Sequence, residues 1–357
     1  MSVRMEIKLD DLSSYRFSDE PVGDLNAGQI RVRVETFALT ANNVTYGVVG
    51  DRIGYWKFFP ASDGYGIIPV WGVGIVEQSA CEEIEEGERL YGYFPMGSHL
   101  IMEPVKVKPN RFSDGTAHRQ ELPPVYNSYV RLSNEGGYDA GFDAARALLQ
   151  PLYFTSFCLK DFFLDNNWFG AGQLVVLSAS SKTAIGLGYA CADDSDLPPT
   201  LGLTSARNLE WVKSLNLYND VRTYDDVDDL DASVPTAIVD MSGNGALLAR
   251  LHRHLGDNMV YTSNVGVTHW EELGPREGFI RERSAMFFAP GHIQKRNAEW
   301  GPGVFEQKAL DYFRDAARKS MGWMKFQHGS TREELADTYM KFIKGDVAPE
   351  VGYTFSL

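Results

Sequence analysis

Near residue 138 the hydrophobic pattern of the chain changes period, and this change constrains the fold more than any single motif. Before it, apolar residues recur at every second position. Residues 29–37 (QIRVRVETF) and 104–109 (PVKVKP) alternate in this way, as a strand with one wet face requires. Residues 69–77 (PVWGVGIVE) are apolar and β-branched but contain Gly72 and Gly74, which mark a bulge or a close backbone approach. A turn with five glutamates in residues 82–88 feeds another short run, RLYGY at 89–93. Short strands at this spacing, punctuated by Gly and Pro, predict an all-β, barrel-like unit.

After residue 138 the strands lose their wet face. Residues 173–177 (QLVVL), 200–204, 236–241 (TAIVDM) and 258–263 (NMVYTS) read as short buried strands. Helical spacing over 139–149, 152–166, 184–192, 208–215 and 246–255 surrounds and separates them. This alternation predicts an α/β region with a doubly wound parallel sheet. Two amphipathic helices are expected at 304–320 and 331–344, the second opened by a capping box of Thr331 and Glu334.

The 357 residues exceed what one compact domain ordinarily holds, so the two patterns are read as two domains. Lys and Arg number 34 against 48 Asp and Glu, a net charge of −14. An acidic surface repels phosphate backbones, which argues against nucleic acid as a partner but permits a local basic pocket. No apolar stretch approaches the roughly 20 residues of a membrane helix. Residues 1–10 lack the charged-then-apolar order of an export signal, so a cytoplasmic location is expected. Cys81, Cys158 and Cys191 show no pairing or metal spacing and are expected to be buried thiols.

Ligands of an open α/β sheet sit beyond the carboxyl ends of its strands, here residues 178–186, 204–208, 240–244 and 263–267. Residues 178–186 (SASSKTAIG) join an apolar strand to a small-residue helix, the place where backbone N–H groups hold phosphate. Ser180, Ser181, Lys182 and Thr183 are the candidate donors there. The spacing is not that of a Walker A loop, and the same residues equally suit a helix cap. Ser205 and Arg207 follow the second buried strand, where a dinucleotide's adenosine ribose lies. An acidic residue selects a free 2′-hydroxyl and Arg accommodates a 2′-phosphate; no acid occurs before Glu210. A phosphorylated dinucleotide is favoured.

In consistent order along nearly the whole chain, residues 30–47 (IRVRVETFALTANNVTYG), 69–77, 87–92 (GERLYG), 203–221 (LTSARNLEWVKSLNLYNDV) and 237–245 (AIVDMSGNG) resemble the medium-chain dehydrogenase/reductase superfamily. The likeness is to its zinc-free quinone-oxidoreductase branch, and residues 286–300 (MFFAPGHIQKRNAEW) resemble an uncharacterised family within the superfamily. The resemblance implies a GroES-like β-barrel substrate domain over 1–140 and a Rossmann-type dinucleotide-binding domain over 141–324. Residues 325–357 would form a helix and strand that return to the first domain. It further implies NADP(H) as cofactor, hydride transfer to a small carbonyl-conjugated substrate such as a quinone or enone, and a homodimer.

Departures from the superfamily pattern are equally informative. Zinc-dependent members carry a catalytic Cys where Thr40 stands, and a Gly-His-Glu stretch where Pro69, Val70 and Trp71 stand. Their third ligand falls near Pro151. These positions do not supply a zinc ligand set, and no metal is expected. In the phosphate loop only Gly186 remains of the usual glycines. Ser181 and Thr183 have side chains where glycine permits close approach of the backbone.

The resemblance places Asn42 and Asn43 in the turn that faces the nicotinamide. Asn43 is expected to orient the substrate and Tyr46 to protonate it. Thr155 resembles a position beside the nicotinamide. Asn244 and Asn264 end strands where the ribose and carboxamide are reached, or else are turn residues. His99 and His292 are the histidines nearest a cleft, while His252 and His254, at i,i+2 spacing, point to different sides of a helix. Arg281, Arg283, Lys295 and Arg296 form a basic island that suits either an acidic tail such as a coenzyme A phosphate or a salt-bridged surface. Residues 286–288 line a substrate pocket or a dimer seam. Rival readings are an enoyl thioester reductase and a cofactor-binding or structural protein without turnover. No Gly-x-Ser-x-Gly elbow supports a hydrolase.

Overall fold

A computed structural model describes residues 1–192, 194, 196–265 and 277–357. The chain opens with β1 (Ser2–Lys8), β2 (Asp11–Glu20), β3 (Ile30–Leu39), α1 (Ala41–Val48) and α2 (Gly50–Ile53). Strands β4 (Tyr65–Gly66), β5 (Pro69–Ser79), β6 (Arg89–Pro95), β7 (His99–Met102), β8 (Pro104–Lys108), β9 (Arg111–Asp114) and β10 (Ser128–Arg131) follow. Then come α3 (Asp143–Asp165), β11 (Gln173–Leu177), α4 (Lys182–Ala192), β12 (Thr200–Thr204), α5 (Leu209–Ser214), β13 (Asp220–Thr223), β14 (Thr236–Asp240), α6 (Gly245–Leu255), β15 (Met259–Asn264) and β16 (Ser284–Met286). The chain ends with α7 (Ala289–Trp300), α8 (Val304–Met321), β17 (Lys325–Gly329), α9 (Arg332–Lys344) and β18 (Val351–Phe355). Two compact units result: Met1–Pro151 with Ser320–Leu357, and Leu152–Lys319.

The second unit is built on six parallel strands in the order β13-β12-β11-β14-β15-β16. This is the doubly wound order with its switch point beside the first strand, β11. The unbroken apolar character of β11 has a direct cause. Val175 and Leu177 pack with Leu248 and Leu251 of α6, whereas Leu174 and Val176 pack with Leu159, Phe163 and Leu187 of α3 and α4. Period two persists, but both faces are covered, and each such side chain contributes about 1.5–3 kcal/mol of burial.

Two details depart from the sequence reading. The helices expected at 139–149 and 152–166 are one helix, α3, that continues through Pro151. Proline removes one N–H from the ladder, yet Leu148, Leu149, Leu152 and Tyr153 on either side are buried, and their packing holds the helix together. At its end, Asn167, Trp168, Phe169 and Gly170 all have positive φ (49°, 52°, 55° and 73°). A left-handed turn costs roughly 1–2 kcal/mol per non-glycine residue. Here it is offset by aromatic stacking, Trp168 on Phe163 at 5.5 Å and Phe169 on Tyr261 at 3.8 Å.

The first unit is β-rich and mixed. One sheet runs β17-β18-β3-β5-β6-β10-β9-β8, with β7 also on β3, and a second runs β2-β1-β4. Gly72 and Gly74 of β5 mark the expected close approach: added Cβ atoms would lie 2.5 Å from the Thr36 carbonyl and 2.5 Å from Val32. The register opposite slips between Val34 and Thr36. The capping box at α9 forms as expected, with Thr331 Oγ1 accepting from Glu334 N at 3.2 Å.

A buried cation organises this unit. Arg119 and Asp114, each 1% exposed at the side chain, pair at 2.7 Å. Arg119 also donates to Asn127 Oδ1 (2.9 Å), the Tyr126 carbonyl (3.1 Å) and the Tyr129 hydroxyl (3.1 Å). Its guanidinium lies 5.0 Å from the Phe59 ring centre.

The cysteines are all free thiols. Cys158 and Cys191 are buried and Cys81 is half-buried; burial pushes the Cys191 thiol up to about 12. His252 and His254 point to separate partners, the Thr262 hydroxyl and the Leu230 carbonyl. His252 Nδ1 accepts from the Ile280 N–H at 3.0 Å, so Nε2 carries the proton and donates to Thr262. Burial, with Arg283 nearby, lowers its pKa from 6.5 to about 4. The unfolded chain therefore takes up a proton between these values that the folded chain refuses. Stability should be intact above pH 6.5 and fall by about 3 kcal/mol as pH drops toward 4. Urea unfolding from pH 7 to 4 should show this loss, and His252→Gln should flatten it.

Candidate active site

At the carboxyl edge of the parallel sheet, the turn after β11 carries the strongest local signal. Ser178 adopts φ 60°, a left-handed conformation that glycine ordinarily supplies. The turn closes by Ser181 N donating to the Ser178 carbonyl (2.8 Å), and Ala179 N donates to the Leu203 carbonyl (3.0 Å). Ser181 is the cap of α4, its Oγ accepting from Ala184 N at 3.3 Å. Ser180 Oγ accepts from Asn208 Nδ2 at 3.0 Å, which ties this turn to the one after β12. Lys182 and Thr183 occupy the half-buried first turn of α4.

Gly186 serves helix packing. A Cβ there would lie 2.5 Å from Ser156 Oγ and 2.7 Å from the Tyr153 ring. Ser156 in turn donates to the Thr183 carbonyl at 2.7 Å, and Tyr312 donates to the Gly186 carbonyl. Thr155 sits half-buried on α3 next to Ser156.

The other edge residues divide into two kinds. Asn244 caps α6, its Oδ1 accepting from Leu247 N at 3.1 Å. Asn264, 1% exposed, donates to the Ala285 carbonyl at 3.3 Å, while its Oδ1 finds no partner among the described residues. Thr204 Oγ1 and Ser263 Oγ are likewise buried without partners. Buried polar atoms of this kind call for an explanation such as a ligand or water. Ser205 precedes a short turn and Arg207 is exposed within it. Of the expected edge segment 263–267, residues 266 and 267 lie outside the described residues.

Two edge residues were not singled out by the sequence reading, although Asp240 falls in its edge segment 240–244. Asp240 ends β14 almost fully buried; burial pushes its carboxyl up, against hydrogen bonds from Ser242 and Gly243. The Tyr224 hydroxyl reaches Ser178. Asp at a strand end was visible in TAIVDM, but no spacing rule pointed to Tyr224.

In the first unit, Asn43 makes hydrogen bonds within the chain. Its Oδ1 accepts from Thr40 N (2.8 Å) and Thr40 Oγ1 (3.2 Å), and its Nδ2 donates to the Pro69 carbonyl (2.9 Å). The amide oxygen and one N–H are thus engaged, and Asn43 ties the start of α1 to β5. Tyr46 is one turn on, 6% exposed, and its hydroxyl accepts from Asn42 Nδ2 at 2.8 Å. Burial pushes its pKa up, and Trp71, Tyr93 and Asn42 pull the other way. Around it gather Tyr55 (ring centres 4.5 Å), Tyr93 (5.8 Å) and, beyond Tyr93, Trp71 (5.1 Å) and Tyr126 (4.9 Å).

His99, His292, Arg283, Lys295 and Arg296 have partners within the chain. His99 pairs with Ser98 Oγ at 2.9 Å. His292 bonds Asp161 at 2.5 Å and is buried. The basic island is two groups of matched charges and carbonyls. Arg296 meets Asp161, Asp165 and Glu299, Lys295 meets Asp165, and Arg283 donates to the carbonyls of Gly256 and Asp257. Residues 286–288 lie partly exposed at the sheet edge that β16 forms. Among the described residues, no group of three His, Cys, Asp or Glu side chains could hold a metal, and no helix is long and apolar enough to cross a membrane.

Residues 37–348 match the family described as protein of unknown function (DUF2855). The chain belongs to that family. No curated protein matches the sequence. Among solved structures, a likeness is found to CurA from Vibrio vulnificus in complex with NADPH (TM-score 0.62, 11% identity, 99% of this chain and 98% of that one). It extends to the CurF ER cyclopropanase from the curacin A biosynthetic pathway (0.60, 11%, 99% of each). The yhdH oxidoreductase from Salmonella enterica in complex with NADP is also similar (0.55, 12%, 99% of each). The fold of this DUF2855 member is thus that of the medium-chain dehydrogenase/reductases.

Replacing Ser178 by glycine should remove the left-handed penalty and raise stability by about 1 kcal/mol. Guanidinium unfolding of Ser178→Gly against the parent checks this; a lower midpoint would contradict the conformation.

Proposed function

We propose that the chain is an NADPH-dependent, zinc-independent reductase of a small carbonyl-conjugated molecule, a quinone or enone. The observation that carries this reading is the edge of the parallel sheet. It combines a left-handed turn after β11, a Ser-capped helix and a buried carbonyl oxygen on Asn264 that has no partner among the described residues. Such an edge fits a dinucleotide: the turn and first helical turn suit a pyrophosphate, and Asn264 Oδ1 suits a donor such as a carboxamide N–H. Proteins of similar fold are found in complex with NADPH and with NADP, which points the same way.

In this reading Ser180, Ser181, Lys182 and Thr183 hold the pyrophosphate, with Ser180 kept in place by Asn208. Ser205 and Arg207 meet the 2′-phosphate. Asn264 orients the carboxamide, and Thr155 and Asn244 lie along the ribose side. When bound, the reduced nicotinamide supplies the hydride. Tyr46, kept protonated by burial, donates to the substrate oxygen as negative charge develops there. Asn43 keeps α1, and hence Tyr46, in register with β5. The protein acts as a cytoplasmic homodimer in this proposal.

Titration with NADPH and NADH, followed by nicotinamide fluorescence, should show selective NADPH binding, and enones or quinones should then oxidise the bound NADPH. Arg207→Ala should weaken NADPH about 10- to 100-fold while changing NADH little. Equal loss for both would remove Arg207 from the 2′-phosphate. Binding without oxidation of any carbonyl compound would favour a protein that keeps the cofactor and lacks turnover.

A further inference from the structure

The chain between α5 and β13 packs against the turn after β11. Just past α5, Asn216 lies in the left-handed region (φ 52°), a conformation that Asn tolerates at a helix end. Leu217 and Tyr218 follow, and two glycines make room for them. At Gly188 of α4 an added Cβ would lie 2.9 Å from Leu217 Cβ. At Gly202 of β12 it would lie 3.0 Å from the Tyr218 ring and 2.9 Å from Ala179 Cβ. Glycine is otherwise disfavoured inside a helix or a strand; here both positions admit the segment that carries Tyr218.

Tyr218 packs with Ala179, Val212 and Val221. Its hydroxyl donates to the Ala184 carbonyl at 2.8 Å and, in a longer second arm, reaches the Ala179 carbonyl at 3.4 Å. One hydroxyl thus joins the start of the turn to the first turn of α4. Burial pushes the phenol well above its ordinary range, so it remains a donor.

The consequence is stereochemical. A trans peptide is planar, and its C=O and N–H point in opposite directions. The Ala179 carbonyl faces Tyr218, so the N–H of the same plane, on Ser180, points away from Tyr218. That N–H finds no backbone acceptor among the described residues. The preceding N–H, on Ala179, is taken by the Leu203 carbonyl at 3.0 Å, so the backbone is held on both sides of Ala179. Ala179 is fully buried, whereas Ser180, Ser181, Lys182 and Thr183 are half-buried. The Ser180 N–H is therefore carried by the part of the turn that solvent reaches.

We propose that Tyr218 is a positioning residue for the pyrophosphate of the dinucleotide: by holding the Ala179 and Ala184 carbonyls on its own side, it aims the Ser180 N–H at a phosphate oxygen. This inference rests on the dinucleotide reading given above and adds to it a residue 39 positions away from Ala179 in sequence. In a glycine-rich turn the backbone comes close to phosphate because no side chains intervene. Residues 178–181 (SASS) all carry side chains, and here the peptide plane is fixed from the side opposite the ligand. Direction matters because a hydrogen bond weakens steeply as it bends, and one to a charged acceptor is among the stronger kinds.

The test uses the full chain, with NADPH and NADP+ as probes. Tyr218→Phe keeps the ring in its place between Gly202 and Ala179 and deletes only the hydroxyl. Tyr312→Phe is the control, since Tyr312 donates to the Gly186 carbonyl of the same helix, beyond the turn. In fluorescence titrations Tyr218→Phe should bind NADPH about 5- to 10-fold more weakly than the parent, and Tyr312→Phe within about twofold of it. Phosphorus NMR of bound NADP+ separates this role from a general loosening of the fold. Tyr218→Phe should shift the pyrophosphate resonances and leave the 2′-phosphate resonance in place, and Tyr312→Phe should shift neither. Equal loss of affinity in the two variants, no loss in Tyr218→Phe, or a 2′-phosphate resonance that moves along with the pyrophosphate overturns the proposal. The parent tells the two possible failures apart. A parent that binds no NADPH overturns the dinucleotide reading, and the role of Tyr218 falls with it. A parent that binds NADPH as tightly as Tyr218→Phe does overturns the role of Tyr218 alone.

Discussion

Arg119 is the interaction on which the β-rich unit depends. A guanidinium taken fully out of water is tolerable only when charge and donors are matched, and here they are. Asp114 balances the charge while accepting at its other oxygen from Glu103 N, Thr116 N and Thr116 Oγ1. Asn127 accepts from Arg119 Nε and donates back to the Arg119 carbonyl at 2.7 Å. Tyr129 accepts from the guanidinium and passes its own proton to the Tyr93 carbonyl. The ring of Tyr129 fills the space that a side chain at position 92 would need, 2.4 Å from an added Cβ, so Gly92 is obligatory. By these links one buried charge fixes the backbone that presents Tyr93 and Tyr126. The aromatic group near Tyr46 therefore inherits its geometry from an ion pair that touches no ligand.

The fold was legible where period and burial agree. The alternation at β3 and the unbroken apolar runs of β11, β12 and β14 correspond to strands with one and with two covered faces, whereas the alternation of β8 gives no covered face, since Val105 is exposed. Gly72 and Gly74, and the box of Thr331 with Glu334, were also readable, since each rests on a local steric or hydrogen-bonding rule. The first hairpin was not. β2 (DLSSYRFSDE) is polar and largely exposed, and its place comes from pairing with β1, which no local pattern records. Pro151 misled in the opposite direction, because a helix breaker was outweighed by packing on both sides of it.

The candidate site was legible in outline only. Its edge segments follow from strand order, but the role of each side chain depends on partners distant in sequence. The bonds of Asn43 to Thr40 and to the Pro69 carbonyl, the latter 26 residues on, cannot be read from its neighbours in sequence. Lys295 and Arg296 looked like a basic island in an acidic chain because Asp161 and Asp165, more than a hundred residues earlier, are invisible to charge patterning. Ser178 hides a glycine-like backbone behind an ordinary name. The buried Oδ1 of Asn264, without a partner among the described residues, is a property of three-dimensional surroundings and has no sequence signature at all.

The left-handed turn from Asn167 to Gly170 has an evolutionary reading. For four residues the usual order of helix preference is inverted: alanine, the best residue within α3, becomes a poor one, and glycine or asparagine becomes the best. Aromatic side chains survive there because Phe163 and Tyr261 stack on them. The turn is a small island of opposite handedness joined directly to a long right-handed helix. Its rings and its backbone are bound to change together, so drift at any one of these positions is coupled to the composition of the aromatic stack beneath it.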